Sequence, residues 1–254
     1  MIPKIIHYCW FGPKKMPRVV RRCIATWHKH LPDYEFMLWN FDRFDINSSL
    51  WVKQAFENKK YAFAADYIRL YAVYNYGGIY MDMDIDVLKS FDDLLDAPLM
   101  LAYENEAQSG IEAGCFGAEK HNPVIKEMLD WYADRPFVSM NGYTCPRVMI
   151  SYTKKYPQLH IYTHDYFTCK SYRTGLIETT ENSHTIHHFA GSWLTDFEKT
   201  NNALRFKYFN EHRSKRMAQL LYRLHICILR IKTFGFSSAI AHYAGKLTQK
   251  KEKD

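Results

Sequence analysis

The chain has 254 residues, 47% of them hydrophobic, 16% aromatic and 24% charged. That is one large domain or a domain with a short appendage, with ample core material, and it excludes the collagenous and wholly disordered classes. The net charge of +7 is unevenly spread: residues 201–254 hold 12 Lys+Arg against 3 Asp+Glu, and residues 1–200 hold 22 against 24, so a near-neutral body carries a basic tail suited to an anionic surface, with nucleic acid as the competing partner.

The opening, MIPKIIHYCWFGPKK, has a short apolar run broken by His7 and Gly12. It fits neither a secretory signal nor a membrane span, and the cytoplasm is the expected location. Residues 2–10 (IPKIIHYCW) read as a strand, Gly12-Pro13 as a breaker, and the stretch after Pro17, with Val20, Ile24 and Trp27 at helical spacing, as a helix. Residues 34–40 (YEFMLWN) alternate like a strand, and residues 51–76 carry one long helical pattern that Gly77-Gly78 ends. Residues 78–87 read as a strand running into acids, residues 98–103 as another strand, and Asn122-Pro123 as the opening of a helix through Trp131. Short strands are expected at 159–162 and 185–189, and an interrupted, Arg- and Leu-rich helical pattern at 203–233. A β-α-β-α start implies an α/β layered fold, with a body over residues 1–200 and a basic helical extension over 201–254. Six scattered cysteines (Cys9, Cys23, Cys115, Cys145, Cys169, Cys227) without a CxxC pair read as reduced thiols.

Three clusters carry chemistry. On an extended chain Asp82, Asp84 and Asp86 point to one side, and three like charges on one face call for a hard divalent cation. The ordinary alternative is an exposed acidic turn, but these acids follow an apolar strand, where open α/β sheets place ligands. Asp66 and Arg69 share a helical face among small residues, either as a surface ion pair or as a carboxylate and guanidinium at a pocket edge, suited to sugar hydroxyls and phosphate oxygens. In the run HHFAGSW, His187 or His188, with Ser192 and Trp193, can complete an oxygen-rich metal site or touch a phosphate; taken alone, a buried loop with a satisfied histidine is the simpler reading. Trp10, at the end of the first strand, is either core or a stacking partner for a nucleobase.

The run AADYIRLYAVYNYGGIYMDMDIDVLK, with IPKIIHYCWFG before it and IHHFAGSW after it, resembles the DXD-motif glycosyltransferases of family 32, which include capsular-polysaccharide and initiating mannosyltransferase enzymes. It is also similar to the core of bacterial glucosylating toxins. The resemblance covers roughly residues 1–195 and implies a GT-A type fold, a divalent metal (Mn²⁺, or Mg²⁺) and sugar transfer with retention. It implies Asp84 as direct metal ligand, Asp82 on ribose and metal, and Asp86 behind them where the family often has Glu. It further implies Asp66 and Arg69 on the donor sugar, Trp10 near a uracil, His188 rather than His187 as third ligand, and Ser192 and Trp193 on metal and phosphate. The expected function is hexose transfer (galactose, glucose or an N-acetyl derivative) from a UDP-sugar to a saccharide or lipid-linked acceptor in surface polysaccharide synthesis, by an enzyme peripheral to the inner membrane face through its tail. Clustered aspartates serve nucleotidyl and phosphoryl transfer equally, which stays open as the alternative. A non-enzymatic nucleic-acid or lipid binder fits less well, because the body is slightly acidic and has no recognisable nucleic-acid motif.

Overall fold

A computed structural model of the chain describes residues 1–12, 15–138, 143–171, 173–191, 194–211, 214–238 and 240–242. The chain divides into two compact units, Met1–Ser171 with Ile177–Trp193, and Tyr172–Leu176 with Leu194–Asp254.

In the first unit the order is β1 (Ile5–Cys9), α1 (Arg18–His30), β2 (Glu35–Trp39), α2 (Leu50–Glu57), α3 (Tyr61–Tyr76), β3 (Gly78–Met81), β4 (Ile85–Val87), β5 (Leu99–Met100), β6 (Cys115–Ala118), α4 (Pro123–Asp130), α5 (Cys145–Thr153) and β7 (Thr185–His187). Five strands form a sheet in the order β2-β1-β3-β6-β5; β1 runs parallel to β2 and β3, and β6 is antiparallel to β3 and β5. The α/β class read from the sequence is thus observed. Every residue of β3 is buried, and its period of two sends Tyr80 into one apolar cluster, with Trp39, Trp51 and Phe116, and Ile79 and Met81 into another, with Ile6, Trp27 and Phe91. Covered on both faces, this strand reads as a continuous apolar run.

The turn from α3 to β3 needs its two glycines. Gly77 and Gly78 have φ of 69° and 103°, and a Cβ on Gly78 would lie 2.6 Å from the Ile5 carbonyl oxygen. Buried His7 locks this corner: its Nε2 donates to the Gly77 carbonyl at 2.7 Å, and its Nδ1 accepts from the Trp39 indole at 3.1 Å. Burial pushes the His7 pKa down to about 4, so the folded state takes up its proton later than the unfolded chain does. Stability from this site is therefore complete above the unfolded value near 6.5 and is lost as pH falls towards 4, by about 3 kcal/mol at most. Urea denaturation of wild type and His7→Gln at pH 7 and pH 4.5 is expected to show a steeper acid loss in the wild type; parallel losses would refute the assignment.

Several elements differ from the sequence expectation. The long pattern over 51–76 is two helices, because Lys59 adopts a left-handed φ of 56° and the Trp51 indole donates to the Phe63 carbonyl at 2.8 Å, folding α2 against α3. Residues 159–162 form a single bridge, Ala102 to Tyr162, rather than a strand. The acid-bearing segment is not one extended strand: β3 stops at Met81, Ile85 N–H bonds back to the Asp82 carbonyl at 3.2 Å, and β4 then pairs antiparallel with β7, Ile85 opposite His187 and Asp86 opposite Ile186. All six cysteines are unpaired.

The second unit is a hairpin of α6 (Asp196–Glu211) and α7 (Lys215–Phe234). Its pairings, Asn201 with Tyr222 and Phe197 with Phe234, set the two helices antiparallel. No helix among the described residues is long and apolar enough to cross a membrane.

Candidate functional site

Parallel pairing of β1 with β3 sets His7 beside Tyr80, so Trp10 and Asp82, each the first residue past its strand, come to the same C-terminal sheet edge, where open α/β sheets bind ligands. Asp82 is held from three sides. The Tyr80 hydroxyl donates to its Oδ1 at 2.8 Å, its backbone N–H donates to the Gly114 carbonyl at 2.8 Å, and Arg69 lies 3.4 Å from the same Oδ1. Arg69 is itself buried and committed, with Asp66 at 3.2 Å, the Ala113 carbonyl at 2.6 Å and the Tyr80 ring 4.7 Å beneath its guanidinium. The structure thus brings Asp66, Arg69 and Asp82 together as one chain of charge, with Arg69 behind Asp82. Burial outweighs the pull of Arg69 on both carboxylates, raising Asp82 and pushing Asp66 up to about 7.

Asp84 sits on the turn between β3 and β4. Its Oδ2 accepts the Ala190 N–H at 2.6 Å, and its Oδ1 lies 3.5 Å from His187 Nε2. Although burial acts to raise it, the His187 charge and the Ala190 N–H prevail and hold this carboxyl well below the usual carboxylate range. Oxygens of Asp82 and Asp84 and a ring nitrogen of His187 all lie within 4.8 Å of one another.

Behind His187 stands Glu112, 2% exposed. Its Oε1 faces His187 Nδ1 at 3.0 Å and accepts the Gly114 N–H at 2.7 Å, and its Oε2 accepts the Thr168 hydroxyl at 3.0 Å. A carboxylate on Nδ1 fixes a histidine with its Nε2 turned outward, the arrangement found behind metal-ligating imidazoles. Gly114 makes room for it: a Cβ there would lie 2.7 Å from His187 Cε1 and 2.8 Å from Glu112 Oε1.

His188, expected as the third ligand, is placed elsewhere. Successive side chains on an extended chain point apart, and His188 Nε2 lies 2.7 Å from Asp86 Oδ2, with Cys23 completing a second group of donor atoms within 4.8 Å. Arg22 already brings a cation there, 3.6 Å from Asp86 Oδ2 and 3.5 Å from His188 Nε2. The turn at Met83-Asp84 has carried Asp86 away from the other two acids. Trp10 is partly exposed, its ring packed over Gly12, where a Cβ would lie 2.7 Å from it. Ser192 and Trp193 lie outside the described residues.

The group formed by Asp82, Asp84 and His187 fits a divalent ion better than the second group does. Its donors are two carboxylates and an imidazole, and the four carboxylates of Asp66, Asp82, Asp84 and Glu112 are met by Arg69 and His187, with Lys170 also acting on Asp84, an acidic excess that a cation would offset.

Residues 17–100 match the family described as "Glycosyltransferase sugar-binding region containing DXD motif". The match spans about a third of the chain and contains Asp82, Asp84 and Asp86. Among curated relatives, "Inositol phosphoceramide mannosyltransferase 3" of Schizosaccharomyces pombe is 31% identical over 135 residues, covering 50% of this chain and 36% of the relative. "Mannosyl phosphorylinositol ceramide synthase SUR1" of Saccharomyces cerevisiae is 28% identical over 174 residues, covering 63% and 44%. Each match therefore spans less than half of the relative's length. Among solved structures, "PaToxG Glycosyltransferase" aligns with a TM-score of 0.46 at 19% identity over 62% of this chain and 70% of that one.

Proposed function

We propose that the chain is a metal-dependent glycosyltransferase of GT-A type, moving a hexose from a nucleotide-diphosphosugar to a saccharide or lipid-linked saccharide acceptor. The observation that carries this reading is the convergence of Asp82, Asp84 and His187 at a sheet edge, with both acids inside the matched region. Mn²⁺ or Mg²⁺ held by these three residues would supply Lewis-acid stabilisation of the departing diphosphate. The rest falls to the chain: Arg69 and Tyr80 fix the orientation of Asp82, Ala190 fixes Asp84, and Glu112 fixes His187. Trp10 offers an aromatic face to the base at the same sheet edge, while Asp66, Ser192 and Trp193 are assigned to the donor. In the transfer the bond from the anomeric carbon to the diphosphate breaks, the acceptor oxygen bonds to that carbon, and the acceptor proton passes to a leaving phosphate oxygen. Retention of configuration is compatible with that route.

The expected donor is a UDP-hexose, and the expected setting is surface polysaccharide synthesis on the inner face of the membrane. The mannosyl and ceramide named for the relatives add a mannosyl donor to be tested and favour a lipid-linked acceptor. Thermal denaturation with a panel of UDP-hexoses and a GDP-hexose, with and without Mn²⁺, tests the reading. Stabilisation of about 3 kcal/mol is expected at a donor concentration about a hundred times Kd, only with metal present, followed by release of nucleoside diphosphate when an acceptor is added. Release of pyrophosphate from a nucleoside triphosphate would favour the nucleotidyl-transfer alternative, and no donor-dependent shift would overturn the proposal.

A further inference from the structure

The hairpin unit presents an apolar surface that packing between its own helices does not use. One side of α7 is spent on α6: Ala218 is fully buried and the Tyr222 hydroxyl donates to Asn201 at 2.6 Å, while at the helix end Phe234 meets Phe197 edge-on at 5.0 Å. A helix needs one apolar side to pack in this way. α7 has a second. Met217, Leu220, Leu224 and Ile228 recur at three- and four-residue steps, which sets them in one row, and they are 49%, 54%, 56% and 49% exposed. Single exposed apolar side chains are ordinary, whereas a continuous row marks a contact surface. Past the helix end, Phe236 and Ile240 are also exposed, at 65% and 54%.

The charges say what covers it. α7 contains Lys215, Arg216, Arg223, Arg230 and Lys232 and no Asp or Glu. At about 100° per residue, Arg216 and Arg223 fall along one flank of the row and Lys232 along the other, all three exposed. Long cationic side chains beside an apolar stripe can bury their stems and keep their charges at a headgroup plane. A second copy of the chain would set these cationic flanks against each other, which disfavours self-association. With five charges in 20 residues the helix is not built to cross a bilayer.

We propose that α7 lies flat on an anionic lipid surface, its row of Met217, Leu220, Leu224 and Ile228 inserted at the headgroup boundary and its flanking Arg and Lys on lipid phosphates. An anionic leaflet contributes about 1 kcal/mol for each such charge. This names the face that would hold the chain at a membrane, and it does not depend on the glycosyl-transfer reading, since the test contains neither donor nor metal.

The test is co-sedimentation of the full chain with phosphatidylcholine vesicles, with and without phosphatidylglycerol, at low and high salt. Binding is expected on the anionic vesicles, weakened by salt and minimal on phosphatidylcholine alone. The double variant Leu220→Ser, Leu224→Ser, with wild-type circular dichroism, is expected to lose about tenfold or more in vesicle affinity. Arg216→Gln with Arg223→Gln, which leaves the apolar row intact, is expected to lose the anionic preference. Wild-type binding by both variants, or no binding by the wild type, overturns the proposal. So does a dimer in solution that the double-serine variant dissociates, because the row would then belong to a second copy.

Discussion

Asp84→Asn is expected to lower the transfer rate by about a hundredfold or more and to weaken Mn²⁺-dependent donor binding with it. The amide keeps the size of the side chain and an oxygen for the Ala190 N–H, 2.6 Å away in the wild type, so the turn between β3 and β4 should survive. What disappears is the charge facing His187 and the cation site, and transition-state stabilisation by a metal is a matter of several kcal/mol. Asp86→Asn supplies the contrast. That carboxylate is engaged by His188 at 2.7 Å and Arg22 at 3.6 Å, so its loss should change Mn²⁺ affinity far less than the loss of Asp84 does. Steady-state rates and metal titration of both variants decide between the two groups of donor atoms. If Asp86→Asn and His188→Ala proved the more damaging, the metal would belong with Cys23, Asp86 and His188.

The contrast also marks where reading the sequence stops. The strand at residues 5–9, the Gly77-Gly78 stop and the Asn122-Pro123 helix start were legible because each rests on local chemistry: an apolar run, a left-handed backbone position, and a side chain that caps Val124 and Ile125. Asp82 and Asp84 were legible for the same reason, as a short motif after a buried strand. The departure of Asp86 was not, since the turn at Met83-Asp84 contains no glycine or proline. Lys59 breaks the helical pattern without either residue too. The choice between His187 and His188 depends on which residue of β7 stands opposite Ile85, a register set by tertiary pairing and invisible to spacing rules. In the sequence Glu112 is only one acid among small apolar residues. Its partners, Thr168 and His187, are 56 and 75 positions away, so no local periodicity could join them.

Glu112 accordingly carries the second large expectation, and it separates fold from function. Glu112→Ala removes the acceptor for three buried donors at once, the Gly114 N–H, the Thr168 hydroxyl and His187 Nδ1. Breaking a buried, hydrogen-bonded charge pair by deleting one partner costs about 3–5 kcal/mol, so the variant should unfold at markedly lower urea. The pH dependence has a definite sign. Despite burial, the His187 charge and the three hydrogen bonds hold the Glu112 carboxyl below its ordinary value; its contribution is full above the unfolded carboxylate pKa and fades as pH falls through the folded one, so wild type and variant should converge in acid. Glu112→Gln keeps an oxygen for Gly114 and His187 and should retain the fold. It removes the charge that turns His187 outward, and loss of such a supporting carboxylate typically costs about 10–100-fold in metal affinity. Calorimetric titration of folded Glu112→Gln with Mn²⁺ is the deciding measurement. Wild-type affinity there would leave Glu112 as a structural acid alone, since its hold on His187 matters to the cation only if His187 is a ligand.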